Sequence, residues 1–201
     1  MHFQPSPLFW VGTVLFLIAL NAVLSPDARA YTLEGCKWQY PLDVTYADNI
    51  YFPIDRKAFT LSVGNWNATA AAVRLRPPLA GQHVDVVAFS TNDSNVSWDG
   101  LTYYTCNSGF FSNTISTNIE INHYYTKNYP PLEIESVTGH ELGHSLGLGH
   151  HQGPYLMDYT TERFINWGIY KPQPDDIRGL IALYGREKVT PHATPKALHL
   201  R

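Results

Sequence analysis

Basic side chains are scarce in this sequence: 14 Lys and Arg stand against 17 Asp and Glu over 201 residues, a net charge of −3. So little positive charge argues against nucleic acid as a partner. Charged residues of both signs make up only 15%, and there are just two cysteines, Cys36 and Cys106. Methionine is as rare, with Met157 the one inside the chain. No internal repeat is present, and the one long apolar run, Leu8 to Leu24, sits near the N-terminus. What the sequence has in plenty is Gly and Pro (14 each), Tyr (13) and Asn, within a 44% apolar composition. That is enough apolar material to bury a core, which excludes wholesale disorder. The Gly and Pro content suits a loop-rich exported protein better than a helical bundle.

The apolar run is followed by Ser25-Pro26-Asp27-Ala28-Arg29-Ala30, and Ala28-x-Ala30 is the small-x-small pattern a signal peptidase reads. Residues 1–30 are therefore read as a secretory signal peptide cut after Ala30, although Met1 to Pro7 lacks the Lys or Arg such segments carry. An uncleaved N-terminal anchor is the rival reading. After cleavage no stable membrane insertion is expected, and the protein is placed outside the cell. In that oxidising setting Cys36 and Cys106 are expected to form one disulfide, worth about 3–5 kcal/mol through the unfolded state. The rival is a free thiol, acting as a metal ligand or an inhibitory switch.

Past residue 30 one domain is expected, followed by a polar, Pro-containing tail over 186–201 read as flexible. Trp38 to Tyr51 reads as a first strand with Leu42 to Tyr46 as its core. Phe59, Val63, Trp66 and Ala70 fall on one helical face. Val84 to Phe89, Leu101 to Cys106 and Thr117 to Asn122 read as further strands. Pro130-Pro131 opens a helix with Glu133 and Glu135 in its first turn, where the macrodipole favours them. Leu132, Gly139, Leu142 and Leu146 form its buried stripe, and Gly147 takes the left-handed conformation that ends it. A last helix runs from about Asp175 to Gly185, packing through Ile177, Leu180, Ile181 and Tyr184. The order predicts a mixed α+β fold with one central sheet.

The chemistry is concentrated in His140-Glu141-Leu142-Gly143-His144-Ser145-Leu146-Gly147-Leu148-Gly149-His150. Two histidines four residues apart project from one helix face and can share a zinc ion. Glu141 can reach a water beside that metal as general base. Gly147 permits the turn that brings His150 back as third ligand, leaving a fourth corner open. A purely structural zinc site would be closed by a fourth protein ligand, often Cys, and none is nearby in sequence.

This pattern resembles the metzincin metalloendopeptidases at His140, Glu141, His144, Gly147 and His150. Leu156-Met157-Asp158-Tyr159 is similar to the methionine turn those enzymes carry beneath the zinc. Within that group, Lys37-Trp38, Leu42, Tyr46, Ala58-Phe59 and Trp66 resemble matrixins, as does Pro174-Asp175-Asp176-Ile177-Arg178-Gly179-Leu180-Ile181-Ala182-Leu183-Tyr184-Gly185. The resemblance implies a zincin-like catalytic domain over residues 31–185, with a twisted, mostly parallel sheet, one antiparallel edge strand and about three helices. It gives Met157, Gly147, Asp175 and Asp176 structural roles. Tyr159, two residues after the methionine, is similar to a tyrosine of the astacin and serralysin branches that approaches the zinc. The histidines and aspartates of the matrixin structural zinc site are not found between Val84 and His123, so one zinc is implied. Asn92, Asp93, Asn95 and Asp99 offer oxygen ligands for calcium, or else form a solvated turn. Matrixin N-termini pair with an aspartate of the last helix, which suggests Tyr31 with Asp175.

The expected function is that of a secreted zinc-dependent endopeptidase acting as a monomer on protein or peptide substrates. Glu141 would serve as base and Leu101 to Cys106 as the edge strand on which substrate lies. Phe164, Ile165, Trp167 and Ile169 predict an apolar pocket wall. The rivals are a non-catalytic binding module on the same scaffold and a zinc amidase acting on non-protein amides.

Overall fold

The computed structural model describes residues 31–108, 112–160 and 162–188. Residues 1–30, and with them the expected export signal, lie outside the described residues. Residues from Tyr31 form a unit of their own. Its elements are β1 (Thr32–Leu33), β2 (Val44–Asn49), α1 (Pro53–Asn67), β3 (Leu75–Arg76), β4 (Val86–Thr91), β5 (Gly100–Cys106), β6 (Thr114–Asn122), α2 (His123–Thr126), α3 (Pro131–Ser145), β7 (Leu148–Gly149), α4 (Glu162–Trp167) and α5 (Pro174–Tyr184). No described helix is long and apolar enough to cross a membrane.

The five-stranded sheet has the order β3-β2-β4-β6-β5. β2 runs parallel to β3 and β4, β4 runs parallel to β6, and only β5, at the edge, is antiparallel. This is the mixed α+β, mostly parallel arrangement expected, with the edge strand where Leu101 to Cys106 was read. Val86, Ala88, Ile119 and Ile121 of the central strands are fully buried, as strands covered by helices require. The core they share with α1 and α3 includes Phe59, Trp66, Leu142, Leu146 and Met157. Polar bonds tie the two helices together: Trp66 Nε1 donates to the Gly139 carbonyl at 2.8 Å, and Ser62 Oγ donates to the Glu135 carbonyl at 3.1 Å.

Five details differ from the sequence reading. Pro41 opens a 3-10 turn over Pro41–Asp43, so the first long strand starts at Val44 and excludes Leu42. α1 stops at Asn67, whose side-chain amide exchanges two 2.8 Å hydrogen bonds with the Leu75 backbone and leads the chain into β3, leaving Ala70 outside the helix. The described helices number five rather than about three. The added ones, α2 and α4, have 4 and 6 residues, too short for a periodicity to show. Leu132, in the first turn of α3, is exposed rather than part of the buried stripe. Of the polar tail, Arg186 bridges to Ala71 and Glu187 N–H donates to the Ala70 carbonyl, while residues 189–201 lie outside the described residues.

Cys36 and Cys106 are joined in a disulfide with Cα atoms 6.3 Å apart, which removes the free-thiol reading. The bridge fastens the chain before the first long strand to the end of β5. β1 pairs antiparallel with β7 in a separate two-stranded ladder, Thr32 opposite Gly149 and Leu33 opposite Leu148. Neither short strand has enough length to show in the sequence.

Candidate metal centre and cleft

α3 presents His140 and His144 on one face, and the turn at Gly147 brings His150 back toward them. Gly147 has φ +94°, the positive-φ conformation expected of it. The three Nε2 atoms form a near-equilateral triangle: His140 to His144 3.0 Å, His140 to His150 3.0 Å, His144 to His150 2.9 Å. The Nδ1 atoms of His140 and His144 lie 2.8 Å from the carbonyls of Leu156 and Leu148. A carbonyl only accepts, so each Nδ1 carries the hydrogen and each neutral ring turns an Nε2 lone pair toward the others. Lone pairs converging at this distance repel unless a cation lies among them, so the donor set fits zinc. Burial, with the Arg163 charge, holds His140 well below the usual imidazole range. Burial, then the neighbouring His144, lowers His150. For His144, burial pulls downward, but Glu34 and Glu141 outweigh it and the net shift is upward. Among the described residues this is the one group of three or more His, Cys, Asp or Glu side chains able to hold a metal ion.

Glu141 is buried beside the triad. The Thr102 hydroxyl of β5 donates to its Oε2 at 2.7 Å. Burial raises its carboxyl above the usual range, against the pull of His144 and Thr102. Thr102 lay inside a predicted strand but carried no predicted role, because its partner is brought to it only by the packing of β5 on α3.

The methionine turn sits beneath the cluster. Met157 is fully buried, and a Cβ on Gly143 would lie 2.2 Å from its Sδ, so Gly143 is what lets the turn approach α3. Asp176 is buried and accepts from the backbone N–H groups of Leu156 (3.0 Å), Met157 (3.2 Å) and Gln173 (2.7 Å), joining the turn to the start of α5. Asp175 is buried too, 2.6 Å from Arg178 Nη2 and 3.6 Å from His151 Nε2, while Tyr31 packs one turn along against Gly179.

Asp158 is also buried, yet its carboxyl is held below the usual range. Burial alone would raise it, but the N–H groups of Gly153 (2.7 Å) and Thr160 (2.9 Å), the Thr160 hydroxyl and the Arg163 charge outweigh that. A depressed native pKa gives stability that is fully present above the usual carboxylate range and is lost as pH falls through the lowered value. An Asp158→Asn variant is therefore less stable at neutral pH and loses less further stability between about pH 5 and pH 2 than the parent. Urea unfolding across that range checks this; superimposable acid limbs would refute it.

The cleft beside Glu141 has a volume of about 720 Å³ and is lined by His140, His144 and His150 together with Asp99, Tyr129, Thr160 and Arg163. Tyr159 lies on its rim, 58% exposed. Arg163 is buried: its Nε donates to Ser136 Oγ at 3.1 Å, and Nη1 donates to the carbonyls of Thr160 (2.8 Å) and Asp158 (3.2 Å), pinning the loop to α3. The expected apolar wall is not formed. Ile165 and Trp167 are exposed and Ile169 is buried in the core, so polar residues of the same loop face the cleft instead. Of the residues considered for calcium, Asp93 accepts from the backbone and side chain of Asn95, while Asp99 lines the cleft.

A sequence profile of the matrixin family, the M10 peptidases, matches residues 80–185, more than half of the chain and all of the histidine motif. This chain belongs to the matrixin family. Rat macrophage metalloelastase is 36% identical to this matrixin over 70 residues, 35% of the chain and 15% of the rat protein. Human matrix metalloproteinase-20 is 42% identical over 59 residues, 29% of the chain and 12% of the human protein. The matched segments thus span about a seventh of those relatives' length or less. The matrixin is also similar in structure to high choriolytic enzyme 1, a hatching enzyme zinc-protease from medaka, with TM-score 0.45 and 13% identity over 76% of this chain and 96% of that one.

Proposed function

We propose that this matrixin is an exported zinc endopeptidase whose catalytic unit occupies residues 31–185. The observation that carries the reading is the convergence of three imidazole Nε2 atoms within 3.0 Å of one another in an open cleft, with the Glu141 carboxylate on the adjoining residue. The disulfide and the Leu8 to Leu24 run followed by Ala28-x-Ala30 support export and processing after Ala30.

Zinc, when bound, supplies a Lewis acid that polarises the scissile carbonyl and acidifies water. His140, His144 and His150 would hold it. The open edge of β5 offers main-chain hydrogen bonds to an extended peptide, which gives binding that tolerates many sequences. Glu141, fixed by Thr102, takes the proton of the attacking water on its carboxylate and returns it to the leaving amine. Tyr159, on the rim, would donate its hydroxyl hydrogen to the carbonyl oxygen as charge develops there.

The test is cleavage of an unfolded protein such as reduced casein, with and without 1,10-phenanthroline. Cleavage is lost with the chelator and returns on adding zinc. Undiminished cleavage in chelator, or none by protein carrying stoichiometric zinc, would overturn the reading.

A further inference from the structure

The short segment ahead of Cys36 touches the histidine cluster through contacts that the hydrolytic reading does not use. β7, its partner in the antiparallel ladder, lies between His144 and His150, so β1 braces the turn that returns the third imidazole. Thr32 Oγ1 donates to the His150 carbonyl, and Glu34 N–H donates to the Gly147 carbonyl at 3.0 Å. The Glu34 side chain goes further. Its Oε1 lies 3.2 Å from His144 Nδ1, sharing that N–H with the Leu148 carbonyl, and its Oε2 accepts from the Tyr104 hydroxyl at 2.7 Å. Glu34 and His144 are 22% and 11% exposed at their side chains, so the pair is largely shielded from bulk water. Two residues on, Cys36 is bound to Cys106 at the end of β5, the strand that also carries Tyr104.

A carboxylate on the far nitrogen of a ligating imidazole fixes the ring's tautomer and rotation and increases its donor strength. We propose that Glu34 is a positioning residue for His144, held in register by Tyr104 and the Cys36–Cys106 bridge, so that the N-terminal segment sets how tightly this site holds zinc. The inference rests on the reading of the three histidines as zinc ligands. It gives the disulfide a second task besides restricting the unfolded chain: the bridge keeps a carboxylate at a metal ligand that is 110 residues away in sequence.

The experiment is zinc affinity of the full chain by competition with a chelator of known affinity, for the parent, Glu34→Ala, Glu34→Gln, Tyr104→Phe and the Cys36→Ser/Cys106→Ser pair. Glu34→Ala weakens zinc binding about 10- to 100-fold. Glu34→Gln, which keeps an acceptor oxygen, recovers part of that loss, and Tyr104→Phe gives a smaller loss in the same direction. In the Cys-free background Glu34→Ala adds less than it does alone, because the two changes act through one contact. Cobalt-loaded Glu34→Ala shows shifted visible bands, while thermal unfolding of the metal-free Glu34→Gln protein matches the parent. A parent that binds no zinc would sink the hydrolytic reading itself. A parent that binds zinc, with Glu34→Ala and Glu34→Gln binding equally well, would overturn the inference and leave that reading standing.

Discussion

Replacing Glu141 with alanine lowers the rate of peptide hydrolysis by about 10²- to 10⁴-fold, the range a positioned general base contributes. The loss falls on turnover because Glu141 is not one of the three convergent nitrogens. Zinc stoichiometry, measured by elemental analysis, therefore stays at that of the parent. Alanine also strips the Thr102 hydroxyl of its 2.7 Å acceptor and opens space in a buried position, so a drop in stability could be mistaken for a drop in chemistry. Glu141→Gln separates the two effects. It keeps the volume and an oxygen for Thr102 but cannot accept a proton at neutral pH, and it shows the same loss of rate with unfolding close to the parent's. Steady-state kinetics on a quenched peptide, beside urea unfolding of both variants, gives the comparison. A Gln variant retaining more than about a tenth of the parent rate would remove Glu141 from the proposed chemistry. A parent with bound zinc and no turnover would favour a binding module on the same scaffold.

The second large effect is structural. Gly147→Ala destabilises the protein by about 2–5 kcal/mol, from a left-handed backbone cost of about 1–2 kcal/mol and an overpacking cost of about 1–3 kcal/mol. Gly147 has φ +94°, and a Cβ there would lie 2.9 Å from the Cys36 carbonyl oxygen and 3.1 Å from Leu183 Cδ1. The nearer atom is backbone, in the residue bridged to Cys106, and it cannot swing away as a side chain would. The midpoint of thermal unfolding should fall by roughly 4–20 °C, given about 2–4 °C per kcal/mol for a domain of this size. Gly168→Ala is the control. Its φ is +65°, and nothing lies within 4 Å of where its Cβ would be, so it carries the backbone cost alone. Equal melting points for the two variants would show that the close approach to Cys36 is not what constrains Gly147.

The same positions divide what could be read from the chain from what could not. His140, Glu141 and His144 are legible because a helix repeats every 3.6 residues, so their relative placement is local and needs no knowledge of the fold. Gly147 is legible for a related reason: only a residue without Cβ readily turns the chain there and returns His150 to the face its partners share. The order of strands and helices that gives a mixed fold with one central sheet is likewise carried by local patterns, whereas the mostly parallel run of its strands was implied only by the resemblance to matrixins. Short elements were not legible, since the two residues each of β1 and β7 contain no period to detect.

What the local pattern leaves open are contacts made at long separation. Thr102 meets Glu141 39 residues away because β5 lies against α3, and Glu34 meets His144 because β1 pairs with β7 and a disulfide fastens its far end. The cleft wall shows the same limit from the other side. Sequence supplied apolar residues to the loop after the methionine turn, but the anchoring of Arg163 to Ser136 decides which side of that loop faces inward, and it is the polar side. Spacing along one helix, with the glycine turn that follows it, thus determined the candidate ligands and base of this protein. Strand register, the Cys36–Cys106 bridge and one buried guanidinium decided what surrounds them, because those depend on which distant surfaces pack together and not on any repeat within a segment.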